Sequence, residues 1–236
     1  MCIRDSSWIK VSFNGGTPEV YSAIHNTSAN DFHIVSKNIE YAIKQRNAQN
    51  LDCKIGLQCL LLPDNSDTIH DLCKHAKNIG ADYLVIKPYS QHKFSETTTY
   101  STIDYADYLY LEDELASYND ENFDVVFRVN TIKNWINQND SRYCKCLATP
   151  STWAYIMADG SVYTCSAFLL DDRFRLGSIT DQTFDEIWSS DRRMHHSQYI
   201  LDQHDISECR VNCRMDQVNR YLDNIVNQNV PHINFV

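Results

Sequence analysis

The sequence predicts an α/β fold, a parallel sheet covered by helices, followed by a small α+β domain with a β-hairpin. Up to about residue 130, short strand-like runs alternate with segments whose apolar residues recur at helical spacing. Beyond residue 140 the pattern changes to short strands, turns and cysteines placed beside turns. Strands separated by helices imply parallel pairing with right-handed crossovers. We therefore expect two domains, residues 8–139 and residues 140–236.

The first domain is expected to contain four strands, at residues 9–14, 53–62, 83–87 and 123–130. A short helix should begin after Thr17, which suits an N-cap, with Pro18 at its first position. Longer helices are expected at residues 31–47, 67–79 and 105–118. Gly80 follows the second of these and is a helix-ending signal.

Most of these strands alternate apolar and polar residues, whereas parallel strands buried on both faces usually read as continuous apolar runs. One polar face is formed by Lys10, Ser12 and Asn14 in the first strand, and Gln58 takes such a position in the second. In the third strand Lys87 lies on the side of Tyr83 and Val85. Two interpretations remain open. The sheet is either open and half exposed, or it is barrel-like, with a polar ligand near the carboxyl ends of its strands.

The second domain begins with a hairpin signal. Strands are expected at residues 153–157 and 161–165, joined by a turn at Asp159-Gly160, because this dipeptide supplies the positive φ that hairpin turns need. A second turn is expected at residues 176–179. Thr183 and Glu186 form a capping-box pattern that should open a helix through Trp188. The last helix should begin near Cys213.

Composition excludes several function classes. The 236-residue chain has a net charge of −10 and no long basic run, so it lacks the electrostatic footprint of a nucleic-acid-binding protein. No apolar run approaches the roughly 20 residues that span a bilayer, and we expect no membrane partner. The start of the sequence does not resemble a signal peptide. We expect a cytoplasmic protein whose nine cysteines are reduced or metal-bound rather than paired in disulfides.

The cysteines fall into two groups. Three lie within apolar strand or helix patterns and are expected to pack in the core: Cys53, Cys59 and Cys73. Four lie beside turns, where metal ligands usually lie: Cys146, Cys165, Cys209 and Cys213. Four thiolates suit either zinc or an iron–sulfur cluster. The three-residue gap in the closing pair mildly favours a cluster, since structural zinc sites more often use C-x-x-C pairs. Cys144 could replace Cys146 as a ligand.

The second domain resembles the SPASM/twitch extension of radical S-adenosylmethionine enzymes. The resemblance covers about residues 140–225 and rests on the order of a hairpin cysteine, a Leu-Gly-Ser-Ile segment, a Glu-Ile-Trp helix and two closing cysteines. It implies that Cys146, Cys165, Cys209 and Cys213 hold one auxiliary [4Fe-4S] cluster. A single ligand set is closer to the shorter twitch form than to the two-cluster form.

The first domain is similar to the C-terminal half of the (β/α) barrel of the same superfamily. Val11-Ser12-Phe13-Asn14-Gly15 resembles its fourth strand, and Lys87-Pro88-Tyr89-Ser90 resembles the end of its sixth. The resemblance implies that Ser12, Asn14 and Gln58 lie near S-adenosylmethionine, and that Lys87 and His92 contact the cofactor carboxylate or the substrate. The alternative is structural: Ser12 and Asn14 organise the Gly15-Gly16 turn, Gln58 is an ordinary sheet residue, and Lys87 and His92 lie in a solvated loop.

One departure from the family pattern is clear. The C-x-x-x-C-x-x-C loop that holds the S-adenosylmethionine-binding cluster is absent from these residues, since Cys2 is the one cysteine before Cys53. Residues 1–7 fit no element and look like a non-native scar. We expect an N-terminally truncated fragment of a parent enzyme that also binds S-adenosylmethionine and a second [4Fe-4S] cluster.

The resemblance implies that the parent generates a 5′-deoxyadenosyl radical, which modifies a peptide, sugar or other small-molecule substrate and requires an external electron donor. The present chain alone would then be inactive. Two alternatives remain open from the sequence. One is a non-catalytic zinc or iron–sulfur protein with a structural or electron-transfer role, and the other is a peptide-binding accessory module.

Overall fold

The computed structural model describes residues 6–92, 95–136, 143–210 and 212–227. The chain forms two compact units. Unit 1 comprises Met1–Tyr89 and Thr97–Ile136, and unit 2 comprises Ser90–Glu96 and Asn137–Val236. The scar expected at residues 1–7 lies mostly outside the described residues. Among those described, no helix is long and apolar enough to cross a membrane.

Unit 1 is built on a four-stranded parallel sheet, as the sequence predicts. The strands follow the chain order across the sheet: β1 (Trp8–Ser12), β2 (Lys54–Leu61), β3 (Tyr83–Pro88) and β4 (Asp124–Phe127). The register pairs Ser12 with Gln58 and Leu60 with Lys87. Because all three pairings are parallel, the carboxyl ends of the strands form one edge of the sheet.

Five α-helices connect and follow these strands: α1 (Pro18–His25), α2 (Ala29–Ala48), α3 (Ile69–Asn78), α4 (Leu111–Ala116) and α5 (Val129–Ile136). The expected cap of α1 is confirmed, since the Thr17 side chain accepts a hydrogen bond from Val20 N and Pro18 is the first helical residue. Gly80 has a φ of 81°, consistent with the helix-ending role expected of it after α3.

Two expected elements of unit 1 are wrong in extent. The strand expected at residues 123–130 ends at Phe127, because the amides of Thr131 and Ile132 turn back to bond Arg128 O and start α5. Ile132 on this helix is fully buried. Val129, which continues the apolar alternation of the expected strand, is therefore the first residue of a helix.

The helix expected at residues 105–118 is a 3₁₀ turn at Tyr105–Tyr108 followed by the short α4. The Tyr105 hydroxyl donates to Leu61 O at 2.9 Å and accepts from Tyr89 N at 2.6 Å. These bonds fix Tyr105 to the sheet.

The core of unit 1 lies on one face of the sheet. Ile55, Leu57, Leu84 and Ile86 are at most 1% exposed and cluster with apolar residues of all five helices. Cys53, Cys59 and Cys73 belong to the same cluster, as predicted. The other face is much less covered: its exposed members include Trp8, Ser12, Lys54, Asp124 and Val126.

Unit 2 contains a three-stranded antiparallel sheet, in the order β5 (Tyr155–Ile156), β6 (Ser161–Tyr163) and β7 (Arg175–Ser178). The predicted hairpin joins β5 to β6, and Gly160 has the positive φ, 84°, that its turn requires.

The turn expected at residues 176–179 is wrong, because this segment pairs with β6 as strand β7. A Cβ on Gly177 would lie 2.7 Å from Gln182 Nε2 and 3.3 Å from the Ile187 side chain. Glycine is therefore needed here for close packing, not for a turn.

Four helices complete unit 2 within the described residues: α6 (Thr149–Thr152), α7 (Phe184–Trp188), α8 (Asp191–Asp202) and α9 (Asp216–Val226). The capping box at Thr183 and Glu186 is confirmed for α7. The sequence pattern missed α8, a predominantly polar helix that buries only His196 and Ile200. The last helix begins at Asp216, slightly after the predicted start near Cys213.

Candidate metal centre

The four cysteines predicted as ligands come together in unit 2. Cys146 lies just before α6, Cys165 follows β6, and Cys209 and Cys213 lie between α8 and α9. All four line one cavity. Cys144 is exposed and is not among the residues that line this cavity.

The rest of the cavity wall is largely apolar. Phe168 and Phe174 stack with their ring centroids 4.2 Å apart, and both are 1% exposed. Tyr143, Ile200 and Ile206 complete this side and are also buried. The wall limits the access of water to the thiols, and burial and solvent access are two of the properties that tune iron–sulfur centres.

Each of the four sulfurs has a nitrogen neighbour at hydrogen-bonding distance. The backbone amides of Ala167 and Met215 donate to Cys165 Sγ and Cys213 Sγ, both at 3.4 Å. The Asn219 side-chain amide donates to Cys146 Sγ at 3.5 Å. His204 Nε2 lies 3.3 Å from Cys209 Sγ. Such contacts stabilise negative charge on sulfur, which a thiolate ligand carries.

The thiols also influence one another. The pKa of Cys165 is raised to about 11, chiefly by burial and also by the nearby Cys213 and Cys146, while the Ala167 and Phe168 amides oppose the rise. The protonated form of Cys165 is therefore favoured until a cation neutralises the site. In the described part of the chain, no group of three or more Cys, His, Asp or Glu is arranged around a single metal ion.

The residues expected near S-adenosylmethionine lie in unit 1. Ser12 and Gln58 occupy paired positions on β1 and β2, and Lys87 is half-buried near the end of β3. Asn14 lies just after β1, where its side-chain oxygen accepts from Leu60 N at 2.8 Å. The Asn14 side chain therefore joins the ends of two strands.

His92 was grouped with Lys87 in the sequence interpretation, but it belongs to unit 2. Its Nε2 atom lies 3.3 Å from Ser166 O. It also lines a second space with Gln91, Glu208, Cys209 and Arg210. The structure thus associates His92 with the segment that follows Cys165.

Sequence reasoning missed His204 and Asn219, which are 8% and 1% exposed. For Asn219 a signal was present: it falls within the stripe of Met215, Val218 and Leu222 on α9. A lone amide on such a stripe indicates a buried polar group, and buried polar groups need partners. His204 lies outside any periodic pattern, so no comparable signal pointed to it.

Comparisons with known proteins agree with this picture. Residues 121–214, which include all four cysteines, match the model of the SPASM family, an iron-sulfur cluster-binding domain. No curated protein sequence matches the chain. Several solved structures are similar to it. The crystal structure of SuiB from Streptococcus suis has a TM-score of 0.51 and 17% identity, over 78% of this chain and 43% of SuiB.

SuiB bound to S-adenosylmethionine gives a TM-score of 0.51 and 16% identity, over 78% of this chain and 42% of SuiB. Native anSMEcpe with bound AdoMet has a TM-score of 0.46 and 16% identity, over 93% of this chain and 66% of anSMEcpe. The chain thus spans less than half the length of SuiB, and these likenesses concern the fold. The SPASM match over residues 121–214 confirms the resemblance of the second domain to an iron-sulfur cluster-binding SPASM domain, and the SuiB structures show a similar fold.

Proposed function

We propose that this chain is part of a radical S-adenosylmethionine enzyme, in which Cys146, Cys165, Cys209 and Cys213 hold an auxiliary [4Fe-4S] cluster. One observation carries the proposal: four thiols from distant parts of unit 2 line a single cavity, within the segment that matches the SPASM family. The substrate would be a peptide, a sugar or a small metabolite, and an external donor would supply electrons.

The spacing of the thiols along the chain favours a cluster over zinc. Structural zinc sites more often use C-x-x-C pairs, whereas three residues separate Cys209 from Cys213. The four thiols line one cavity. A cluster of four irons and four sulfides would be held there by one cysteine at each iron.

The surrounding residues have three tasks in this proposal. The thiolates anchor the cluster, and the nitrogen neighbours of the sulfurs stabilise their negative charge. The stacked Phe168 and Phe174 shield the site from water. When bound, an auxiliary cluster with a cysteine at each iron would supply one-electron transfer. Cys209 lines both the cluster cavity and the neighbouring space beside His92 and Arg210. A substrate or an electron donor would reach the cluster from this side.

For unit 1 we propose the role of a partial (β/α) barrel, the C-terminal half of a radical S-adenosylmethionine barrel. The uneven burial of the sheet supports this, since one face is packed and the face with Ser12 and Gln58 is polar and partly exposed. Ser12, Asn14, Gln58 and Lys87 would lie towards the S-adenosylmethionine of the whole enzyme. The second [4Fe-4S] cluster would belong to a C-x-x-x-C-x-x-C loop that these 236 residues do not contain.

SuiB, one of the similar structures, has also been solved with its precursor peptide SuiA. That complex is a property of SuiB. The likeness to SuiB, at 17% identity, concerns the fold and does not identify a substrate for this chain. We therefore propose a peptide as one of three substrate classes, beside a sugar and a small metabolite.

The cluster site is tested by anaerobic reconstitution of the chain with iron and sulfide, followed by metal analysis and electronic spectroscopy. We expect a brown protein with about four irons per chain. Cys165→Ala should lose most of this iron while unit 1 keeps its secondary structure by circular dichroism. Cys144→Ala is the matched control and should load as well as the parent, because Cys144 does not line the cavity.

Two results would overturn the proposal. One is stoichiometric zinc in the purified chain with no iron uptake, which would establish a zinc site. The other is full iron content in Cys165→Ala, which would show that the ligand set is wrong.

A further inference from the structure

A single buried side chain organises the segment that carries Cys146. The Asn219 side-chain oxygen accepts hydrogen bonds from the amides of Leu147 at 2.7 Å and Ala148 at 2.9 Å. Its amide nitrogen donates to Cys146 Sγ at 3.5 Å. Three consecutive residues are therefore held by one amide group, which is only 1% exposed.

This pattern fixes the orientation of the Asn219 amide. A carbonyl oxygen has two lone pairs and can accept both backbone N–H groups, whereas an NH₂ group in that place would face two donors. The nitrogen is consequently the atom directed at the sulfur. A thiolate at Cys146 can accept this bond, and hydrogen bonds to cluster sulfurs are among the factors that set the reduction potential.

Asn219 also connects two ends of the proposed ligand set. It lies on α9, which starts just after Cys213, and its backbone N–H donates to Met215 O at 2.8 Å. Met215 N in turn donates to Cys213 Sγ at 3.4 Å. The start of α9 therefore contacts two of the proposed ligands. Met215 contacts Cys213, and Asn219 contacts Cys146, which lies 73 positions away in the chain.

We propose that Asn219 is a positioning residue for the auxiliary cluster: its oxygen shapes the Cys146 segment, and its N–H group stabilises the Cys146 thiolate. The inference rests on the proposed cluster site. It predicts two separable effects of substitution. One is loss of iron through a misplaced Cys146, and the other is a lower reduction potential through the lost N–H donor.

Two substitutions separate these effects. Asn219→Asp keeps an oxygen for the Leu147 and Ala148 amides but places a second oxygen beside the sulfur. Asn219→Ala removes both functions without adding charge. Gln217→Glu is the matched control, because it makes the same amide-to-carboxylate change at an exposed position of α9.

All four proteins are reconstituted with iron and sulfide under anaerobic conditions. Iron release to a chelator and the midpoint potential of the bound cluster are then measured. We expect Asn219→Ala to release iron about 10–100-fold faster than the parent, the usual effect of losing a partner of a metal ligand. Asn219→Asp keeps the two backbone bonds and should release iron more slowly than Asn219→Ala. We also expect midpoint potentials below that of the parent. Gln217→Glu should match the parent in both measurements.

If Asn219→Ala does not fold, Asn219→Asp carries the test, since it retains the two backbone bonds. Asn219→Asp with the potential and release rate of Gln217→Glu would overturn the inference while leaving the cluster site intact. Faster release with an unchanged potential would overturn the proposed N–H donation. A parent chain that takes up no iron would instead overturn the proposed cluster site itself, and this inference with it.

Discussion

His204 Nε2 lies 3.3 Å from Cys209 Sγ, five positions along the chain. The imidazole is buried, and its ring meets the edges of Phe168 and Phe174 with centroid distances of 5.2 and 5.4 Å. In the tautomer with its proton on Nε2, the ring donates to the sulfur. His204 thus combines apolar packing with a polar contact to a proposed ligand.

Replacing His204 should separate these two roles. His204→Phe keeps a ring against the phenylalanines but removes the donor, so we expect a lower midpoint potential of the bound cluster and faster bleaching in air. His204→Gln can present an N–H group near the same position and should recover part of the potential. His195→Gln, on the exposed part of α8, is the control. Equal potentials in His204→Phe and the parent would contradict the prediction.

Asp82 should be important for the stability of unit 1. Its carboxylate accepts from Ile55 N at 2.7 Å, forms an ion pair with Arg46 and lies 3.7 Å from Lys54 Nζ, and its side chain is 15% exposed. Asp82→Ala leaves Ile55 N and the Arg46 charge without this acceptor, so we expect the free energy of unfolding to fall by about 2 kcal/mol.

Urea denaturation followed by circular dichroism measures this loss. Asp71→Ala is the matched control, since Asp71 forms an exposed pair with Lys74 at 3.4 Å. Exposed pairs contribute little, so this change should stay within about 0.5 kcal/mol of the parent. Similar losses in the two variants would show that Asp82 has no special role.

Cys59 and Cys73 should be chemically inert in the folded chain. Burial raises the pKa of each thiol to about 12, and both side chains are fully buried. The thiolate is the reactive form, so alkylation near pH 8.5, the ordinary pKa of a cysteine, should label the exposed Cys144 and spare these two. Mass spectrometry of the labelled peptides checks this. Labelling of Cys59 or Cys73 at the rate seen in denaturant would contradict it.

The stability of unit 1 should decrease in mild acid. Burial lowers the pKa of His25, whose Nε2 accepts a hydrogen bond from Asn14 N at 3.1 Å. The folded state therefore favours neutral His25. Its contribution is complete above the unfolded pKa of about 6.5 and is lost as the pH falls below that value. His75, whose pKa burial also lowers, acts in the same direction.

We expect the thermal midpoint of the chain to fall as the pH is lowered from about 6.5, where an unfolded histidine begins to take up its proton. His25→Gln should make this fall shallower, because glutamine offers an acceptor that does not titrate. The exposed His33→Gln is the control and should keep the parent profile. An identical profile in His25→Gln would rule out this contribution.

Local signals predicted much of the fold because they act over a few residues. Thr17 with Pro18 and the capping box at Thr183 and Glu186 operate within one helical turn, and the structure confirms both. The errors arose where packing outweighs local pattern. Gly177 was interpreted as a turn residue, but it is a strand residue that gives room to Ile187 and Gln182.

The sequence by itself determined the alternation of strands and helices, the buried role of Cys53, Cys59 and Cys73, and the four thiols that stand beside turns. These features depend on spacing along the chain. Only the tertiary structure decided that Cys146 rather than Cys144 lines the cavity, and that Asn219 and His204 contact its sulfurs. Asn219 and Cys146 lie 73 positions apart, and such a contact depends on how α9 packs against the segment that carries Cys146. No local pattern encodes that packing, since it is the sum of many weak contacts across the whole domain.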